Sequence, residues 1–206
     1  NSLGRPEIAY MTLNYSDSTW HTELRYAVFN GTSWSIDSVV DNNAYYSWGA
    51  LDHALNSTDS PHIVYFDDSD TDSLYLAVGS NGSWTTSKIK NDAGYYSAGQ
   101  SGSSIAIDSD DGLHVSYYDR YGRDLEYAYL GMGDTSWIFT ADVAGGSLNN
   151  YIGTDNSIAL DSKGNPRIGF YDASLGDLMF ARCESSCDSA SSWEIRTLEE
   201  DGTMGL

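Results

Sequence analysis

The chain has 206 residues, of which 40% are hydrophobic and 13% aromatic, enough apolar material for a buried core and too much for a disordered chain. Ten basic against thirty acidic residues give a net charge of −20 at pH 7, a surface that repels phosphate backbones and argues against a nucleic-acid partner. No apolar run approaches the ~18 residues of a membrane-spanning helix.

Four units follow one another, each built on the same phrase. The first begins mid-phrase, Gly4-Arg5-Pro6-Glu7-Ile8-Ala9-Tyr10-Met11. The second reads Asp52-His53-Ala54-Leu55-Asn56, a polar turn, then Pro61-His62-Ile63-Val64-Tyr65-Phe66-Asp67. The third has Ser104-Ile105-Ala106-Ile107-Asp108 and then Leu113-His114-Val115-Ser116-Tyr117-Tyr118-Asp119. The fourth has Ser157-Ile158-Ala159-Leu160-Asp161 and then Pro166-Arg167-Ile168-Gly169-Phe170-Tyr171-Asp172. The anchors Pro6, Pro61, Leu113 and Pro166 stand 55, 52 and 53 residues apart, a period that marks an array of supersecondary units. The approximate repeats are 1–49, 50–103, 104–156 and 157–206, within one domain over 1–206.

Each unit carries four strand signals, A to D, separated by Gly/Asn/Asp/Ser clusters. The phrase supplies A and B. Strand C is Leu24–Val28, Leu74–Val78, Leu125–Tyr129 and Leu178–Arg182, where alternation places Leu24, Tyr26 and Val28 on one face. The recurring Ala27, Ala77, Ala128 and Ala181 predict a crowded face against a neighbouring sheet. Strand D opens on Ser-Trp each time, at Trp34, Trp84, Trp137 and Trp193. No stretch has helical periodicity with caps. The expectation is an all-β chain: a β-propeller of four blades of about 52 residues, four antiparallel strands each, the first blade lacking its own strand A.

The A–B phrase resembles NHL-type and sialidase-like propeller repeats over essentially the whole chain. The Ser-Trp opening of strand D resembles the end of the Asp-box. The Asp that motif requires is replaced by Phe29, Gly79 and Met132 in three units; Asp188 satisfies it in the fourth, where Ala190 replaces the motif's Gly. The resemblance implies a fold more than an activity. The chain starts without Met or a leader-like stretch, as a mature or excised chain would. The missing strand A implies either a four-bladed ring closed by the tail or a fragment of a larger propeller. An incomplete blade exposes an edge that invites self-association.

In propellers of this kind the D-to-A links and B-to-C loops share a ligand face. Here those links hold Tyr45, Tyr46, Trp48, Tyr95, Tyr96 and Tyr151. They read either as stacking platforms for sugar rings or as plugs between blades. His53 stands where Ile105 and Ile158 stand in strand A, which marks it as special to one blade or as a hydrogen-bonded structural His. Trp20 and His21 lie in the longest B-to-C loop, Thr12 to Glu23, a candidate specificity element. His62 and His114 share a strand-B slot with Glu7 and Arg167, a variety that reads as surface-facing.

Asp67, Asp119 and Asp172 close strand B and are expected to cap the following turn. Asp68, Asp70 and Asp72 alternate as calcium ligands do, although Ser73 and Gly79 replace the Gly and Glu of a calcium loop. Calcium is the one ion the sequence raises, and no other cofactor is implied. The acidity itself reads as solvated turns, a high-salt habitat or bound divalent cations. Cys183 and Cys187 are expected to form a local disulfide, which fits an extracellular or cell-surface location.

No nucleophile elbow, zinc-protease helix or phosphate loop is present. The resulting expectation is a secreted, non-enzymatic propeller that binds a glycan or an extracellular protein. A glycoside hydrolase or polysaccharide lyase, and a structural repeat segment of a large surface protein, are the alternatives.

Overall fold

The computed structural model describes residues 1–16, 18–42, 51–67, 73–91, 102–145 and 151–199. Four antiparallel sheets follow one another along the chain. The first has three strands, β1 (Glu7–Ser16), β2 (Thr19–Phe29) and β3 (Trp34–Asn42). The second has β4 (Leu51–Leu55), β5 (Pro61–Asp67), β6 (Ser73–Ser80) and β7 (Ser83–Lys90). The third has β8 (Ser103–Ile107), β9 (Leu113–Asp119), β10 (Asp124–Leu130) and β11 (Ile138–Ala144). The fourth has β12 (Ile152–Leu160), β13 (Pro166–Asp172), β14 (Asp177–Cys183) and β15 (Trp193–Glu199). Among the described residues there is no α-helix, only a 3₁₀ turn at Ala190–Ser192, and no helix long and apolar enough to cross a membrane.

The strand signals A to D thus become strands in that order, and the first sheet has no strand A among the described residues. None of the four sheets closes or curls on itself. Two expectations change. Thr12 to Glu23 is not a loop: β1 and β2 stay in register from Glu7↔Val28 out to Ser16↔Thr19, a long hairpin whose alternating residues pair across the strands. Strand β12 starts five residues before the predicted Ser157, through two register shifts. Gly153 (φ +105°) allows this because its Cα lies against Leu125, where a Cβ would come within 2.8 Å.

Successive sheets stack on one another, with strands β4 and β8, and β8 and β12, side by side. Each interface holds its own apolar core. Leu24 and Tyr26 meet Ile63, Tyr65 and Ala77 between the first two sheets. Val64, Leu74 and Leu76 meet Ile105, Val115, Tyr117 and Ala128 between the second and third. Leu125 and Tyr127 meet Ile158, Ile168, Phe170, Ala181 and Trp193 between the third and fourth. Strand C therefore turns its large residues toward the following sheet and its Ala toward the preceding one. The recurring Trp is a wedge: Trp84 sits edge-on to Tyr26 at 5.4 Å and Trp193 edge-on to Tyr127 at 5.1 Å. Trp34, in the first sheet, is 45% exposed.

Polar groups pin the same interfaces. Asp52 Oδ2 accepts from Ser104 Oγ (2.7 Å) and from the Ile105 N–H (3.0 Å). Ser104 Oγ in turn accepts from the Ile158 N–H at 3.2 Å. The A-to-B turns are near copies: Asn1, Asn56, Asp108 and Asp161 each accept backbone N–H groups two and four residues on. The fourth residue of each turn, Gly4, Asp59, Asp111 or Gly164, has positive φ. Two of these turns reach across to the next sheet. Ser2 donates through N and Oγ to the Asp59 carboxylate, and Ser57 donates likewise to Asp111, at 2.7 and 2.6 Å. Asp119 and Asp172 cap their B-to-C turns as expected, accepting from Tyr121 (2.8 Å) and Ser174 (2.9 Å) N–H groups; the turn after Asp67 lies outside the described residues.

Asn156 is the buried polar key of the third interface. Its Oδ1 accepts from Ser116 Oγ at 2.7 Å, and its Nδ2 donates to the Gly102 and Gly153 carbonyls, both at 2.9 Å. Asn156→Ala strands buried partners and is expected to cost about 2 kcal/mol, lowering the thermal midpoint by roughly 4–8 °C. A midpoint within 1 °C of the parent would show that Asn156 is not a key.

Candidate functional site

A cavity of about 270 Å³ opens between the third and fourth sheets, at the end where the A-to-B turns lie. One wall is His114 on β9, Tyr127 and Tyr129 on β10, and Ile138 on β11. The facing wall is the turn Gly164-Asn165-Pro166 and the disulfide loop with Glu184, Cys187 and Asp188. Its position follows from the repeat. At the first two interfaces the Ser–Asp clasp ties neighbouring turns together. The fourth turn carries Gly164 at the clasp position and offers no carboxylate to the third turn, and Gly164 lines the cavity.

The aromatic wall is held rigid. His114 is 6% exposed, which corrects the expectation of a surface-facing slot. Its Nδ1 meets Tyr127 Oη at 2.6 Å and its Nε2 meets Asp108 Oδ2 at 3.2 Å. A carboxylate only accepts, so Nε2–H donates to Asp108 and the Tyr127 hydroxyl donates to Nδ1. Burial lowers the pKa of His114, opposed by Asp108. Burial pushes the Tyr127 and Tyr129 hydroxyls up, so both stay protonated donors. The Tyr129 ring packs on His114 at 4.7 Å and is only partly buried, which leaves ring surface facing the cleft.

The polar wall is equally fixed. Arg167 Nη2 donates to Asp161 Oδ2 (2.6 Å) and Glu184 Oε1 (2.8 Å), while Asn165 Nδ2 donates to the other oxygen of Glu184 at 3.2 Å. Asp161, which also accepts from the Asn165 and Lys163 N–H groups, is held down at about 2. The expected disulfide is present, Cys183–Cys187. The Cys187 carbonyl accepts from Trp193 Nε1 at 3.2 Å and from Thr140 Oγ1 of the third sheet, so the loop is fastened to both walls. Aromatic surface opposite carboxylate and amide oxygens suits a small ring that is apolar on one face and rich in hydroxyl donors at its edge.

Of the described residues proposed from the sequence as ligand-binding, Tyr151, His53, Trp20 and His21, none lines this cleft. Tyr45, Tyr46, Trp48, Tyr95 and Tyr96, and the carboxylates Asp68, Asp70 and Asp72, lie outside the described residues. Tyr151 binds the fourth sheet through its backbone, and the Arg123 guanidinium lies 4.9 Å over its ring. His53 packs edge-on to Tyr26 at 5.8 Å, on the face opposite Asp52. Trp20 lies on the outer hairpin, 38% exposed and against Tyr15 at 5.0 Å, with His21 beside it, 3.0 Å from Thr19 Oγ1. Sequence reasoning missed His114, Tyr129 and Glu184; the signal was the replacement of Asp59 and Asp111 by Gly164.

At the other end of the third sheet a second group converges: Asp119, Asp124 and Glu126, all buried, with Lys90 from the second sheet. Burial pushes Asp124 up, reinforced by Asp142, Glu126 and Asp119.

His114 gives the fold a pH signature. Its folded pKa lies below the ordinary ~6.5, so below that pH the unfolded chain takes up a proton that the native chain resists, and stability falls. The thermal midpoint should therefore drop more between pH 7 and 5 in the parent than in His114→Gln. His62, also lowered by burial, keeps a residual slope in both. Identical slopes would contradict the assignment.

No family model matches the chain, and no curated protein matches it. Among solved structures, a fucose lectin from Kordia zhangzhouensis in complex with methyl-fucoside aligns with a TM-score of 0.48 at 14% identity, covering 74% of this chain and 100% of that one.

Proposed function

We propose that the chain is a carbohydrate-binding protein of β-propeller type, acting outside the cell or at its surface, and that it takes one sugar ring in the cleft between its third and fourth sheets. The observation that carries this reading is the cleft itself: a partly exposed Tyr129 ring and the clamped Glu184 and Asn165 line its opposite walls. The propeller reading rests on three four-stranded sheets of one strand order, whose A strands lie side by side in sequence, and a first sheet made of the corresponding B, C and D strands. Ile8 and Ile36, 47% and 54% exposed on the outer face of the first sheet, give that face the apolar character expected where a further blade, an extracellular protein or a second copy packs.

The disulfide supports the location, since such bonds persist in oxidising compartments. The aromatic D-to-A links are a second proposed contact surface, able to extend binding to a longer glycan. The carboxylates around the cleft and the net charge of −20 favour neutral over acidic sugars.

A glycan array should return neutral saccharides and not sialylated or sulfated ones. Tyr129→Ala removes a stacking surface and Glu184→Gln a charged acceptor; each should weaken the best ligand about tenfold or more, the equivalent of ~1.4 kcal/mol. Unchanged affinity in both folded variants would remove the cleft from the account.

A further inference from the structure

We propose that Asp119, Asp124 and Glu126, at the B-to-C end of the third sheet, form a binding site for one calcium ion. One carboxylate oxygen from each lies within 4.8 Å of the others. That is the spacing a single ion reaches with oxygens at roughly 2.3–2.6 Å. The three residues are 7%, 5% and 4% exposed, so water solvates them little, and a buried carboxylate without compensation is costly. Asp124 Oδ1 is buried with no hydrogen-bond partner. This independent observation points to a ligand, because every other carboxylate oxygen of a stable interior site would be expected to meet a donor or a cation.

The local charges leave room for a cation. Lys90 Nζ contacts Asp119 Oδ2 at 3.2 Å and also Glu126, so the one ammonium reaches two of the three carboxylates. The ligands sit on strand ends, which fixes them. Asp119 Oδ1 is oriented by the Tyr121 N–H at 2.8 Å, and Glu126 by the Tyr117 hydroxyl. With only carboxylate ligands in the cluster, the site suits a hard cation and not zinc or copper. It is built from residues other than the alternating Asp68, Asp70 and Asp72.

The test is calcium titration of chelator-stripped protein at constant ionic strength, by calorimetry and thermal unfolding. The expected result is one saturable site and a rise in the midpoint of about 5 °C at saturation. Both should be lost in Asp124→Asn, with Glu126→Gln as the second variant if Asp124→Asn does not fold, and retained when Asp68, Asp70 and Asp72 are all changed to Asn. No saturable calcium binding, a site that survives both Asp124→Asn and Glu126→Gln, or one that disappears with the Asp68/Asp70/Asp72 triple variant would each overturn the proposal.

Discussion

Every sheet has two faces to cover, and among the described residues no α-helix covers them. The strands therefore bury their apolar residues against the neighbouring sheet, and the repeat encodes a complementary pair of faces. Leu76 and Tyr127 project toward the sheet that follows, while Ala77, Ala128 and Ala181 make room for the sheet that precedes. Small against large is what lets twisted sheets interdigitate at native packing density. The Trp wedges and the chain of contacts from Asp52 to Ser104 to Ile158 set how the stacked sheets align.

Once stacking is fixed, function has to come from departures from it. Turns of one shape differ at the clasp position: Asp59 and Asp111 accept from Ser2 and Ser57 of the neighbouring turn, and Gly164 has no side chain with which to do so. The left-handed backbone is kept, so the turn is unchanged while the side-chain bond across the interface is gone. The gap that results is flanked by the one disulfide among the described residues, whose loop brings Glu184 and Asp188 to the rim. At the opposite end of the same sheet, strand ends bring three carboxylates together.

Much of the scaffold was legible in the sequence because it repeats. The order of strands, the short first unit, the crowded Ala face, the Asp119 and Asp172 caps and the Cys183–Cys187 bridge all rest on local pattern or spacing. The hairpin from Thr12 to Glu23 was misread because its polar residues resemble a loop. Their alternation with Leu13, Tyr15 and Trp20 across five paired positions was the better guide. The site was much less legible. His114 and Arg167 share a strand slot, and without the sheets in place that variety suggested solvent. Instead, the slot opens on an inter-sheet gap, where His114 faces Tyr127 and Asp108 while Arg167 clamps Glu184. These contacts each belong to a single unit and do not recur in the others, so they leave no periodic trace to read.

The central claim is that losing one clasp opens the binding cleft, and Gly164→Asp tests it most directly. Aspartate already occupies this backbone conformation at Asp59 and Asp111, at φ 59° and 60°, so the substitution restores the repeat without straining the turn. The account predicts a thermal midpoint equal to or above that of the parent together with loss of saccharide binding, as the carboxylate ties the fourth turn to Ser109 of the third. Full saccharide affinity in a folded Gly164→Asp protein would contradict it.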